Sequence, residues 1–184
     1  DSQVLDEMEI QSAVFMGVSL GTIFIKYMEM RYGSYIDKAI LVGALGAVGK
    51  PLRRAVNVFA RIGDKLPFPI VYRIMAKLFM PWKVSRTSRK VFCKCAKALN
   101  SVDFKAYMNI FIEHFSFCDE FVSVSHEENI YISGRGDLCF INGIVEESDL
   151  TDATLIIIEH CGHVCNIDQG RQFNEIISEV LSIE

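Results

Sequence analysis

Residues Ala13–Tyr27, AVFMGVSLGTIFIKY, decide how the rest of the chain is read. An apolar run gives way to Gly17-Val18-Ser19-Leu20-Gly21, and a second apolar run of helical character follows. The pattern is strand, sharp turn, helix, with a serine at the apex. A serine so placed has a strained backbone and a hydroxyl presented to whatever lies above the sheet. Glycines on both sides are expected because a side chain at either would collide as strand and helix converge. Leu20 opens the helix, so its amide is one of the donors that lack an intrahelical acceptor and faces any oxyanion forming at the serine.

Outward from this stretch the chain alternates. Residues 1–12 read as the end of a helix and a short loop, with Val4, Leu5, Met8 and Ile10 as a partial apolar face. Leu20–Tyr32 reads as a helix stopped at Gly33. Lys38–Gly43, KAILVG, is a second strand, continuously apolar as parallel strands buried on both faces are. All four prolines then fall between 51 and 81. Helical patterns occupy Leu52–Ile62, Pro69–Phe79, Ser88–Leu99 and Val102–Phe115. Strands return at Glu128–Ser133 and Ala153–Ile158, with a short helix over Leu138–Glu147 between them. An amphipathic helix over Gln169–Ile183 closes the chain, with Phe173, Ile176, Ile177, Val180 and Leu181 on one face.

At 184 residues the chain suffices for one domain with a substantial core. Apolar residues make up 51% and the mean hydropathy is +0.25, yet no apolar run approaches the ~18 residues of a membrane-spanning helix. The six cysteines are too sparse for a disulfide scaffold and read as reduced thiols of a cytoplasmic protein. Net charge is −4, unevenly spread: residues 50–97 hold thirteen of the nineteen Lys and Arg and a single acid, Asp64. No nucleic-acid-binding motif accompanies this basic stretch, so nucleic acid is not expected as a partner.

Acyl transfer by a serine needs a base, an acid that orients the base, and donors for the oxyanion. Ser19 follows one strand, Asp137 follows another in NIYISGRGD, and His163 follows a third in CGHVCNIDQGRQFNEIISEVL. All three fall at strand carboxyl ends, where open parallel sheets form their ligand sites. Asp137 has a competing reading as a solvated turn residue, and His160 competes with His163 for the base.

These segments resemble the α/β-hydrolase family: the nucleophile elbow G-V-S-L-G, the strand-Gly-x-x-Asp segment, and the Gly-His that precedes a polar turn and a helix with an early Phe. The resemblance covers essentially the whole chain. It implies an α/β-hydrolase fold, with a mostly parallel sheet flanked by helices and a helical lid inserted between strands. Core would occupy 1–45 and 123–184, and the lid 46–122. It also implies a serine hydrolase acting on a carboxylic ester, thioester or lactone. Ser19 would be nucleophile, His163 base, Asp137 the orienting acid and Leu20 an oxyanion donor. Trp82, Phe79 and Met80 of the lid would contact substrate. No cofactor or metal is implied. The closing GHVCNIDQ looks somewhat like the enol-lactone hydrolases of the family.

The chain departs from the family in one respect. Nothing in it matches the family's opening strands or the loop carrying the second oxyanion donor, so a missing N-terminal part is expected as another chain or segment. Two other readings stay open. One is a non-catalytic binding module on the same fold; the other is a peripheral protein whose basic lid docks on an anionic membrane surface. The His160, Cys161, His163 and Cys165 cluster, with Cys93 and Cys95, invites a zinc reading, but its spacings match no usual ligand pair. The cysteines read better as small apolar fillers.

Overall fold

A computed structural model of the chain describes residues 2–46, 54, 56, 58, 67–81, 83–95, 98, 100–121 and 128–182. Helix α1 (Ser2–Glu7) leads to strand β1 (Ala13–Val18), helix α2 (Leu20–Tyr32) and strand β2 (Ile36–Val42). Beyond it lie helices α3 (Phe68–Phe79), α4 (Arg86–Cys95) and α5 (Ser101–Phe121), and the described residues 54, 56 and 58 are also helical. Strand β3 (Ile130–Gly134), helix α6 (Ile141–Thr151), strand β4 (Thr154–Ile158), the short α7 (Cys165–Asp168) and helix α8 (Gly170–Leu181) complete the described chain. No helix among the described residues is long and apolar enough to cross a membrane.

The strands form one sheet in the order β1-β2-β3-β4, every pair parallel. Residues alternate across it. Ala39 and Leu41 of β2 and Tyr131 of β3 pack with Ile23 and Ile25 of α2 and Ile144 of α6 on one face. Ile40, Val42 and Ile132 pack with Phe173 of α8 on the other. Both faces are covered, which is why these strands are continuously apolar in sequence. The exception is β1 at the sheet edge. Val14 and Met16, on the α8 side, are 45% and 53% exposed.

The ends of several elements differ from the sequence reading. α5 runs on to Phe121. The helix expected to start at Leu138 starts at Ile141. There the Asp137 carbonyl accepts from the amides of Phe140 and Ile141, and this turn occupies the intervening residues. The helix expected over 52–62 lies largely outside the described residues.

Candidate active site

Ser19 sits between β1 and α2 at φ 52° and ψ −115°, a conformation that a side-chain-bearing residue rarely adopts. Three contacts hold it there. Its amide donates to the Val42 carbonyl at 2.9 Å. Its carbonyl accepts from the Thr22 amide at 2.9 Å and from the Thr22 hydroxyl at 2.7 Å. Thr22 is fully buried and its hydroxyl also receives the Leu45 amide at 3.4 Å, so one side chain ties the turn to the segment after β2.

The glycines on either side are not equivalent. A Cβ on Gly17 would lie 2.7 Å from the carbonyl carbon of Gly21 and from Cδ1 of Ile25. A Cβ on Gly21 would meet nothing within 4 Å. The expectation that both are sterically required is corrected: the helix leaves the strand on the Gly17 side, and Gly21 presents its backbone, not its Cα hydrogens, to that contact.

Asp137 is fully buried in the turn after β3, and His163 is 3% exposed in the loop after β4. These loops are laced together. The Gly136 amide donates to the Cys161 carbonyl and the Arg135 amide to the Ile158 carbonyl, each at 2.9 Å. A Cβ on Gly134 would lie 2.6 Å from the Cys161 carbonyl oxygen. Ser19 Oγ lies 2.7 Å from His163 Nε2, and His163 Nδ1 lies 2.8 Å from Asp137 Oδ2. The three residues thus form one continuous chain of hydrogen-bonding contacts. The imidazole is bordered by the rings of Phe140 and Phe79, with centroids 5.0 and 6.0 Å away.

His160, the competitor for the base position, is exposed and bends the loop at φ 58°. Cys161 and Cys165 are buried free thiols on the α8 side. A hydrogen bond between them lowers the pKa of Cys161 and raises that of Cys165. Among the described residues no three His, Cys, Asp or Glu side chains converge as a metal site requires. Cys139, two residues beyond Asp137, has its thiol pushed up to about 11, mainly by burial and then by the charge of Asp137.

Above Ser19 is a cavity of about 370 Å³. Its floor is Ser19, Leu20 and His163, and its walls are side chains of α3, α4 and α5, among them Met75, Phe79, Phe92 and Phe111. Phe79 and Met80 both line it, whereas Trp82 lies outside the described residues. The described lining residues include no Asp, Glu, Lys or Arg.

Sequence reasoning missed how the α3–α5 region is fastened to the histidine loop. Asp168 accepts from the Ser88 amide at 3.0 Å and from the Ser88 hydroxyl at 2.8 Å. Ser85 packs against Gly162, where a Cβ would overlap the Ser85 Oγ as it stands. Arg89 donates to the Met80 carbonyl at the end of α3. No local pattern announces a pair separated by eighty positions.

No protein-family model and no curated protein matches the sequence. Solved structures do match. An α/β hydrolase enzyme from a Medee basin deep-sea metagenome library superposes with a TM-score of 0.72 at 13% identity, over 100% of this chain and 70% of that one. An esterase from Exiguobacterium antarcticum gives 0.75 at 14%, over 97% and 70%. A meta-cleavage product hydrolase from Pseudomonas fluorescens gives 0.68 at 20%, over 97% and 68%. At such identities the likeness is one of architecture, and it identifies the chain as having the α/β-hydrolase fold.

Proposed function

We propose that the protein is a serine hydrolase that cleaves an ester-type bond through an acyl-enzyme. The observation that carries this reading is the run of contacts from Ser19 through His163 to Asp137, opening on an apolar cavity. In this mechanism Ser19 Oγ attacks the carbonyl carbon while its proton moves to His163 Nε2. The carbonyl π pair moves onto oxygen, where the Leu20 amide donates to it. As the oxyanion collapses, the bond to the leaving group breaks and His163 returns its proton to that group. Water then repeats the sequence on the acyl-enzyme and frees the acid. Asp137 keeps the imidazole N–H on Nδ1 and stabilises the imidazolium.

The cavity supports a neutral, apolar acyl group. Its volume lies at the small end of the range of about 300–1,000 Å³ usual for ligand pockets. Carboxylic esters, thioesters and lactones all satisfy the chemistry, and the fold likeness to an esterase favours the ester class. Helices α3–α5 would act as the lid. The second oxyanion donor would come from a segment on the open side of β1, beside exposed Val14 and Met16, on this chain or another.

The test is a fluorophosphonate probe with peptide mapping, run beside hydrolysis of p-nitrophenyl esters from acetate to dodecanoate. Labelling of Ser19 and an optimum at intermediate acyl length are expected. Absence of labelling in correctly folded protein would return the chain to the binding-module reading.

A further inference from the structure

The face of α3 turned away from the cavity is also apolar. Val71, Tyr72, Ala76 and Phe79 are buried, while Ile70, Ile74 and Leu78 recur every fourth residue on the opposite side at 46%, 42% and 44% exposure. One turn of helix brings i and i+4 onto one stripe. Arg73 and Lys77, both exposed, stand beside it. Exposed Lys83 and Val84 continue the same mixture past the end of the helix, and no acidic residue occurs from 67 to 95.

We propose that this face of α3 docks on the surface of an anionic lipid bilayer. An apolar stripe bordered by long basic side chains lies in the plane of a bilayer interface, with the aliphatic residues below the headgroups and the cations among lipid phosphates and carboxylates. Charge complementarity selects this occupant. A second copy meeting the stripe through its own stripe would oppose two basic surfaces. Lipid binding does not depend on the hydrolase reading. Its consequence does rest on that reading: Met75 and Phe79 line the cavity from the inner side of the same helix, so docking brings the acyl cavity to where apolar esters partition.

The experiment is co-sedimentation of the purified protein with phosphatidylcholine vesicles, with and without 30 mol% phosphatidylserine, at low and high salt. Binding to the phosphatidylserine vesicles only, lost in high salt, is expected. Ile74→Asp and, separately, Lys77→Glu should each lower partitioning about tenfold or more, with circular dichroism unchanged. If Ile74→Asp fails to fold, Lys77→Glu still decides. Ser19→Ala should bind as the parent does, so loss of catalysis and loss of docking are read apart. No binding at low salt, or binding indifferent to both substitutions, overturns the proposal. So does a concentration-dependent dimer in sedimentation velocity that the same substitutions abolish, since the stripe would then be a contact between copies.

Discussion

Gly43 seats the backbone of His163. It stands just past β2 at φ +53°, and a Cβ there would overlap the His163 carbonyl oxygen and approach Nδ1 to 3.5 Å. Gly43→Ala therefore meets both a left-handed backbone and a backbone obstruction. We expect a loss of about 1–3 kcal/mol in stability, together with a fall in kcat as the imidazole is displaced from Ser19. Urea denaturation and ester hydrolysis measure the two. Full activity with an unchanged midpoint would show that the loop has room to give.

Asp137 tests the acid assignment. Replacing it by Asn preserves shape but donates an amide N–H toward Nδ1, which favours the unproductive tautomer. The expected drop in kcat is about 10⁴-fold, with Ser19→Ala at least as severe. A drop below tenfold for Asp137→Asn would remove it from the proposed role. Its other oxygen, Oδ1, is buried with no protein partner among the described residues, so stability is expected to change little beside activity.

Much of the fold was legible because parallel strands covered on both faces announce themselves as continuous apolar runs, as in AILV of β2 and TLIII of β4. The elbow was legible because strand, Gly17, serine and helix follow one another directly. Ser19, Asp137 and His163 were candidates because each follows a strand, and the preference for His163 over His160 rested on the resemblance of Gly162-His163 to the α/β-hydrolase closing segment. What sequence could not supply depends on partners remote along the chain. The asymmetry of Gly17 and Gly21 is set by the angle at which α2 leaves β1. The cavity exists only because α3, α4 and α5 close over Ser19. The fastening of Ser88 to Asp168 and the pairing of Lys26 with Glu147 have no local signature.

The Ser88–Asp168 contact predicts a link between the helical region and the histidine loop. Asp168→Ala removes both acceptors and leaves the Ser88 amide without its partner, while the Ser88 hydroxyl keeps only the Ser85 carbonyl. A destabilisation of about 1–3 kcal/mol is expected. A purely structural role would stop there. A link also predicts a raised KM for the longer p-nitrophenyl esters, which reach the α4 wall, with little change for acetate. Equal effects on all chain lengths would argue against it.

Cys139 gives a pH-dependent expectation. Its pKa stands near 11, against an ordinary value of about 8.5, because burial and then Asp137 disfavour the thiolate. The thiolate is the reactive form, so raising the pKa lowers its fraction at every pH below 11. At pH 8 Cys139 should be alkylated by iodoacetamide markedly more slowly than exposed Cys95, and its rate should still be climbing at pH 10. Peptide-resolved mass spectrometry reads both. Equal rates at pH 8 would contradict the burial-driven shift.

Lys26 and Glu147 form an ion pair deep in the core, at 2% and 1% exposure, joining α2 to α6. The Tyr131 hydroxyl donates to the same carboxylate oxygen at 2.8 Å, and the Lys26 ammonium lies 5.6 Å from the centre of the Tyr131 ring. Desolvating two charges offsets most of their attraction, so the pair is not expected to add much net stability. Removing one member is different, because it strands the other in an apolar surround. Lys26→Met or Glu147→Leu alone should each cost about 3–5 kcal/mol, whereas the double variant should recover most of that loss. A double-mutant cycle in urea decides it. If the single losses simply add, the pair is not coupled. If they do not, the two charges are coupled across the contact between α2, which begins just after Ser19, and α6, which follows Asp137.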